Sequence, residues 1–119
     1  MATAVKRKLS GSADGKAIKI VATATPGTTI HTATASTTAG TFDEIWLWAY
    51  NGHTAAVILT IEFGGADVPD QNIVVSLPSK SGLVPITPGL ILQNSLVVKA
   101  FASVANVVTL VGFVNAITD

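Results

Sequence analysis

Apolar and polar residues alternate with a period of two along most of this chain, and the alternation breaks at Gly, Pro, Asn and Asp. Successive side chains of a strand point to opposite faces, so this period predicts β-strands half-buried against a core. A first segment, residues 16–25, is apolar at Ile18 and Ile20 and ends at Pro26-Gly27. A Thr-rich, β-branched run over 28–35 follows, then a soft linker to Gly40. Segments 42–50 and 55–63 flank Asn51-Gly52, the pair preferred in a two-residue type I′ hairpin, and are expected to pair with each other. Gly64-Gly65 and Pro69-Asp70 mark a loop, and 72–77 is a strand ending at Pro78. The run 82–86 contains Pro85, which cannot donate to a ladder, so it is expected at a sheet edge. Pro88-Gly89 turns the chain toward an extended piece at 90–92, and two long strands, 95–102 and 106–117, close the chain.

No segment carries an amphipathic helical stripe, and the gaps leave no room for crossover helices, which disfavours parallel α/β. About eight strands at intervals of roughly 8–12 residues predict an all-β single domain, a β-sandwich or jelly roll, over residues 16–119. Residues 1–15 are expected as an extended basic N-terminal arm, because Gly11, Ser12, Asp14 and Gly15 break any regular element. Five of the seven cationic residues, Lys6, Arg7, Lys8, Lys16 and Lys19, fall in the first nineteen positions. Three accounts of the arm stand: a solvated tail, a segment that orders on an acidic partner, or, least supported because no aromatics interleave the charges, a nucleic-acid contact.

The expected hairpin assigns faces. A turn at Asn51-Gly52 opposes Tyr50 to His53, Trp48 to Ala55, Trp46 to Val57 and Glu44 to Leu59. Trp46 then shares a face with Val57, Leu59, Ile61 and Phe63, a surface too apolar for water, and is assigned to the core. Trp48 and Tyr50, nearer the tip, are expected half-exposed, with a sugar-stacking platform as the alternative. The opposite face carries Ile45, Leu47, Ala49, Ala56 and Ile58, and the last strand is also apolar on both sides. An outer face of a monomeric sandwich usually alternates to polar, so either another element of the chain or a neighbouring subunit covers this one; Ile45, Leu47 and Ile58 are taken as an oligomer or assembly interface.

Composition strengthens that expectation. The 119 residues are 49% hydrophobic and 12% charged with a formal net charge of zero, against roughly 25% charged in an average domain. Little repulsion keeps such a chain dispersed. Cysteine is absent, which excludes disulfides and thiolate metal sites. No apolar run reaches the roughly 18 residues of a membrane helix, and no apolar stretch follows the basic cluster as a secretory signal requires. Cytoplasmic synthesis is the expectation.

Catalytic chemistry is not expected. His31 and His53 have no second histidine at metal-ligand spacing, and both are assigned to the surface. Asp43 and Glu44 are adjacent on a strand and point apart, so they form no carboxylate pair. The loop 64–72 lacks the spacing and terminal Glu of a calcium loop. There is no nucleophile elbow, P-loop or dinucleotide fingerprint. The chain is therefore taken as a non-enzyme with no metal, cofactor or small-molecule substrate.

The strand Phe42-Asp43-Glu44-Ile45-Trp46-Leu47-Trp48-Ala49, the turn Pro88-Gly89-Leu90, the strands 95–102 and 111–115 and the basic arm together resemble the small capsid decoration, or cement, proteins of tailed bacteriophages. The resemblance implies a β-sandwich or β-tulip module, commonly trimeric, on the outside of the capsid at threefold positions. It implies a virion structural role in which the chain bridges neighbouring major capsid proteins. In that frame Lys6, Arg7 and Lys8 contact an acidic shell and the aliphatic faces form the homo-oligomer, a trimer being favoured. Two other readings stand beside it: a carbohydrate- or receptor-binding module of a tail or fibre, and a tail-tube or adaptor ring protein.

Overall fold

A computed structural model describes residues 2–119. It contains nine strands: β1 (Thr3–Lys8), β2 (Ile18–Lys19), β3 (Thr28–Thr32), β4 (Phe42–Asn51), β5 (Val57–Phe63), β6 (Asn72–Leu77), β7 (Val84–Leu92), β8 (Val97–Ala102) and β9 (Val108–Thr118). They form two antiparallel sheets packed face to face. The first has the order β1-β9-β4-β7, with the short β2 also on β9, and the second has the order β3-β8-β5-β6. Counting only the eight longer strands in chain order, the sheets are 1-8-3-6 and 2-7-4-5, the order of a jelly roll.

The core lies between the inner faces. Ile45, Leu47, Ala49, Leu110 and Val114 of the first sheet meet Val57, Leu59, Ile61, Val98 and Ala100 of the second, and all are buried. Leu9, Ile20 and Ile30 fill the margin. β9 and β4 approach so closely that a Cβ on Gly112 would lie 1.9 Å from the Trp46 carbonyl oxygen, so only glycine fits there. β7 lies at an edge, as Pro85 requires, but it runs on through Pro88 to Leu92 with two register shifts against β4.

The hairpin at Asn51-Gly52 does not form. β4 pairs with β7 and β9, while β5 pairs with β6 and β8 in the other sheet. A type I′ turn needs positive φ at both central residues, and neither Asn51 nor Gly52 has it. Asn51 is instead fully buried and ties an arch between the sheets. Its Nδ2 donates to the carbonyls of Ala55 and Leu77, each at 3.0 Å, and its Oδ1 accepts from the His53 amide at 2.9 Å. Crossing from one sheet to the other turns the inward face of β4 over. Val57, Leu59 and Ile61 face Ile45 and Leu47 across the sandwich, and the tryptophans point outward.

The N-terminal segment is a strand rather than a tail. β1 pairs with β9 from Thr3–Thr118 to Lys8–Phe113. After it, residues 9–16 leave the first sheet and lace the edge of β3. The Gly11 amide donates to Ile30 O at 2.9 Å, and the Thr32 amide donates to Ser10 Oγ at 2.8 Å.

Candidate functional site

The outer face of the first sheet gathers most of the aromatic residues. Trp46 and Trp48 alternate outward on β4, and Phe113 stands opposite Trp46 on β9. The three rings stack: centroids lie 6.4 Å apart for Trp46–Trp48, 6.1 Å for Trp46–Phe113 and 6.0 Å for Trp48–Phe113. Each such pair adds about 1 kcal/mol beyond area burial. Polar groups hold the cluster. Trp46 Nε1 donates to Glu44 Oε1 at 2.9 Å, and Asn115 Nδ2 donates to the same oxygen at 3.1 Å. These two bonds, the indole first, hold the Glu44 carboxyl below its ordinary value. Lys6 Nζ sits 4.2 Å from the centre of the Phe113 ring, a cation–π contact. Gly89, at φ 77°, lies against the Trp46 ring, where a Cβ would come within 2.9 Å. Trp46, Trp48, Tyr50, Val111 and Phe113 are all half-exposed.

This placement corrects three expectations. Trp46 belongs to the outer face, not the core. Ile45 and Leu47 are 0% and 1% exposed and cannot reach a partner. Ile58 is 51% exposed on the outside of the second sheet, close to the exposed Val74 on the neighbouring strand and not beside Ile45 and Leu47 as the hairpin implied. The face expected to lie outside is the buried one, and the outer face of β4 carries the aromatic residues instead. Phe113 was not singled out beforehand. Its signal is the alternation Val111, Phe113, Asn115 on one side of the last strand.

Beside this face, Arg7 and Lys8 line a cleft of about 630 Å³ where the first sheet extends past β3. Ser10, Thr32, Thr34 and Thr41 supply hydroxyls to its walls. Lys8 Nζ donates to the Ser12 carbonyl at 3.2 Å, and among the described residues Arg7 forms no ion pair. The floor holds His31 and Asp43, both buried, with Nε2 to Oδ2 at 2.7 Å, so His31 is not the surface residue expected. The Ser10 amide donates to His31 Nδ1 at 3.0 Å. Nδ1 is therefore an acceptor, and Nε2 carries the proton donated to Asp43. Both ring nitrogens are engaged, leaving neither to act as a base or to bind a metal.

Glu62 is buried on the second sheet and has a structural explanation. Its carboxylate accepts from Thr25 Oγ1 and from the Gly27 amide, both at 2.6 Å, and so pins the 25–27 loop across the sheet. Among the described residues no three His, Asp or Glu side chains gather as a metal site, and no helix is long and apolar enough to cross a membrane. No protein-family model, no curated protein and no solved structure matches the chain.

Proposed function

We propose that this chain is a non-enzymatic virion structural protein that binds the outside of a phage capsid and reinforces it by bridging major capsid proteins. The observation that carries the reading is the outer face of the first sheet. An aromatic cluster with Val111, Tyr50 and the exposed Ile91 beside it occupies a surface that a monomeric sandwich makes polar. A chain with zero net charge adds no repulsion against self-association through that face. The jelly-roll order is shared by shell-forming domains and lectins, which supports an interaction role by analogy only. On this reading the protein is made in the host cytoplasm, forms a homo-oligomer, with a trimer favoured, and resides on the capsid surface. Many equivalent weak contacts then add up through multivalency.

The test is direct. The purified chain should sediment as an oligomer and co-sediment with shells of the major capsid protein encoded in the same genome, raising their resistance to heat. A monomer at high concentration that leaves shells undecorated overturns the reading. Deleting residues 2–10 is not a clean probe, because it removes β1 and the buried Leu9. Substituting Trp48→Ala and Phe113→Ala on the outer face is the better one.

A second reading draws on the same half-exposed tryptophans. Indoles can stack on sugar rings, so a glycan- or receptor-binding role predicts hits on a glycan array that disappear with Trp48→Ala while the fold is kept.

A further inference from the structure

β1 has an open edge. Its partner is β9, and among the described residues no strand lies on its other side. All six of its residues are exposed, including Val5 at 48%. The other edges differ. The edge of β3 is laced by Ser10 and Gly11. β7 carries Pro85 and Pro88, which cannot donate to an added strand. β6 carries no charge and cannot select a partner by charge.

β1 does select. Lys6, Arg7 and Lys8 are consecutive, so they put positive charge on both sides of the strand: Lys6 and Lys8 on the side of Phe113, Arg7 on the side of Val114, in the cleft. The carboxylate in that cleft, Asp43, accepts from His31 Nε2 at 2.7 Å and the Thr34 amide at 3.3 Å and forms no ion pair with Arg7. Asp119 lies beyond Thr118, at the opposite end of the β1–β9 ladder from Arg7. A second copy of β1 is a poor occupant, because antiparallel pairing about Lys6–Lys8 sets cation against cation. A chain of opposite charge meets no such penalty.

We infer that β1 is the docking edge for an extended acidic segment of a partner protein, which adds to the first sheet as its next strand. Backbone bonds supply the pairing, and carboxylates directed to Lys6 and Lys8 on one side and to Arg7 on the other supply the selection. That the partner is a capsid shell rests on the function proposed above; the chemistry of the edge does not.

The test uses the full chain and a capped, extended heptapeptide containing three consecutive glutamates, with a three-lysine counterpart as control. The glutamate peptide should shift the backbone resonances of residues 3–8 and slow their amide exchange. Its affinity should fall as salt rises, and by roughly tenfold or more in Arg7→Glu/Lys8→Glu. Arg7→Gln, a milder change at an exposed site, should give a smaller loss with the rest of the spectrum unchanged. Equal binding of the lysine peptide, perturbations centred on β6, or tighter binding of a single-stranded oligonucleotide at β1 overturns the inference. Shells separate the two proposals. If the charge-reversed variant loses the glutamate peptide yet decorates shells as well as the parent, the docking edge stands without the shell as its partner, and decoration stands. If the parent ignores shells but binds the glutamate peptide at β1, decoration fails and the docking edge stands.

Discussion

Gly112 and Glu44 show how single residues shape the outer face. Gly112 lets β9 lie against the backbone of β4 at Trp46, where a methyl group has no space. Gly112→Ala should therefore cost about 3 kcal/mol or more in a urea titration, through separation of the two central strands. Glu44 acts through its protonation state. Its carboxyl is held below the ordinary value of 4.5 by the Trp46 indole first and Asn115 second. A depressed folded value means the stabilisation is present above the ordinary carboxyl range and is lost as pH falls through the lowered value. Tryptophan fluorescence should therefore show an acid transition centred below 4.5 that is absent in Glu44→Gln. A midpoint at or above the ordinary value would show that the indole bond is not made in solution.

At the scale of the element, β4 decides how the domain is assembled. With Ile45 at 0% and Ile58 at 51% exposure, the two isoleucines should respond very differently to truncation. Ile45→Ala should cost about 3 kcal/mol by opening a core cavity, whereas Ile58→Ala should stay within about 0.5 kcal/mol. Equal costs in denaturant would contradict the inward placement of Ile45. The strands themselves were legible in the alternation: 72–77 matches β6 in both bounds, and 42–50 matches β4 to within a residue. Alternation also grouped Trp46 with Trp48 and Ile45 with Leu47 correctly. It could not say which group faces inward, because that depends on where β5 lies. Asn51-Gly52 carries the same local signal whether the chain turns within a sheet or arches between two. β1 was not legible as a strand at all. It has no core behind it and hence no alternation, and its order comes from β9, at the far end of the sequence. The His31–Asp43 pair was hidden for a similar reason, since its partners meet only when the two sheets close.

For the whole molecule, the half-exposed aromatic surface is concentrated in one place. Both tryptophans and Phe113 share one outer face, and the basic residues of β1 border it. Sedimentation of Trp48→Ala/Phe113→Ala should shift toward monomer, while Arg7→Glu/Lys8→Glu should leave self-association intact. Loss of association in the charge variant instead would place the subunit contact on β1. The strand order carries one more consequence, for how the protein comes into being on the ribosome. No two adjacent strands of the first sheet are consecutive in the chain: β4 lies between β7 and β9, and β1 is held by β9. Of the two sheets, only the second holds a sequential pair, β5 with β6, that can zip as it emerges. β1 must wait, unpaired, until β9 has been made, and until then the tryptophan-bearing β4 has only β7 to pair with. Folding of this half is therefore slow for its size, as long-range pairing demands. A nascent chain stalled before residue 108 should bind hydrophobic-seeking chaperones through β4.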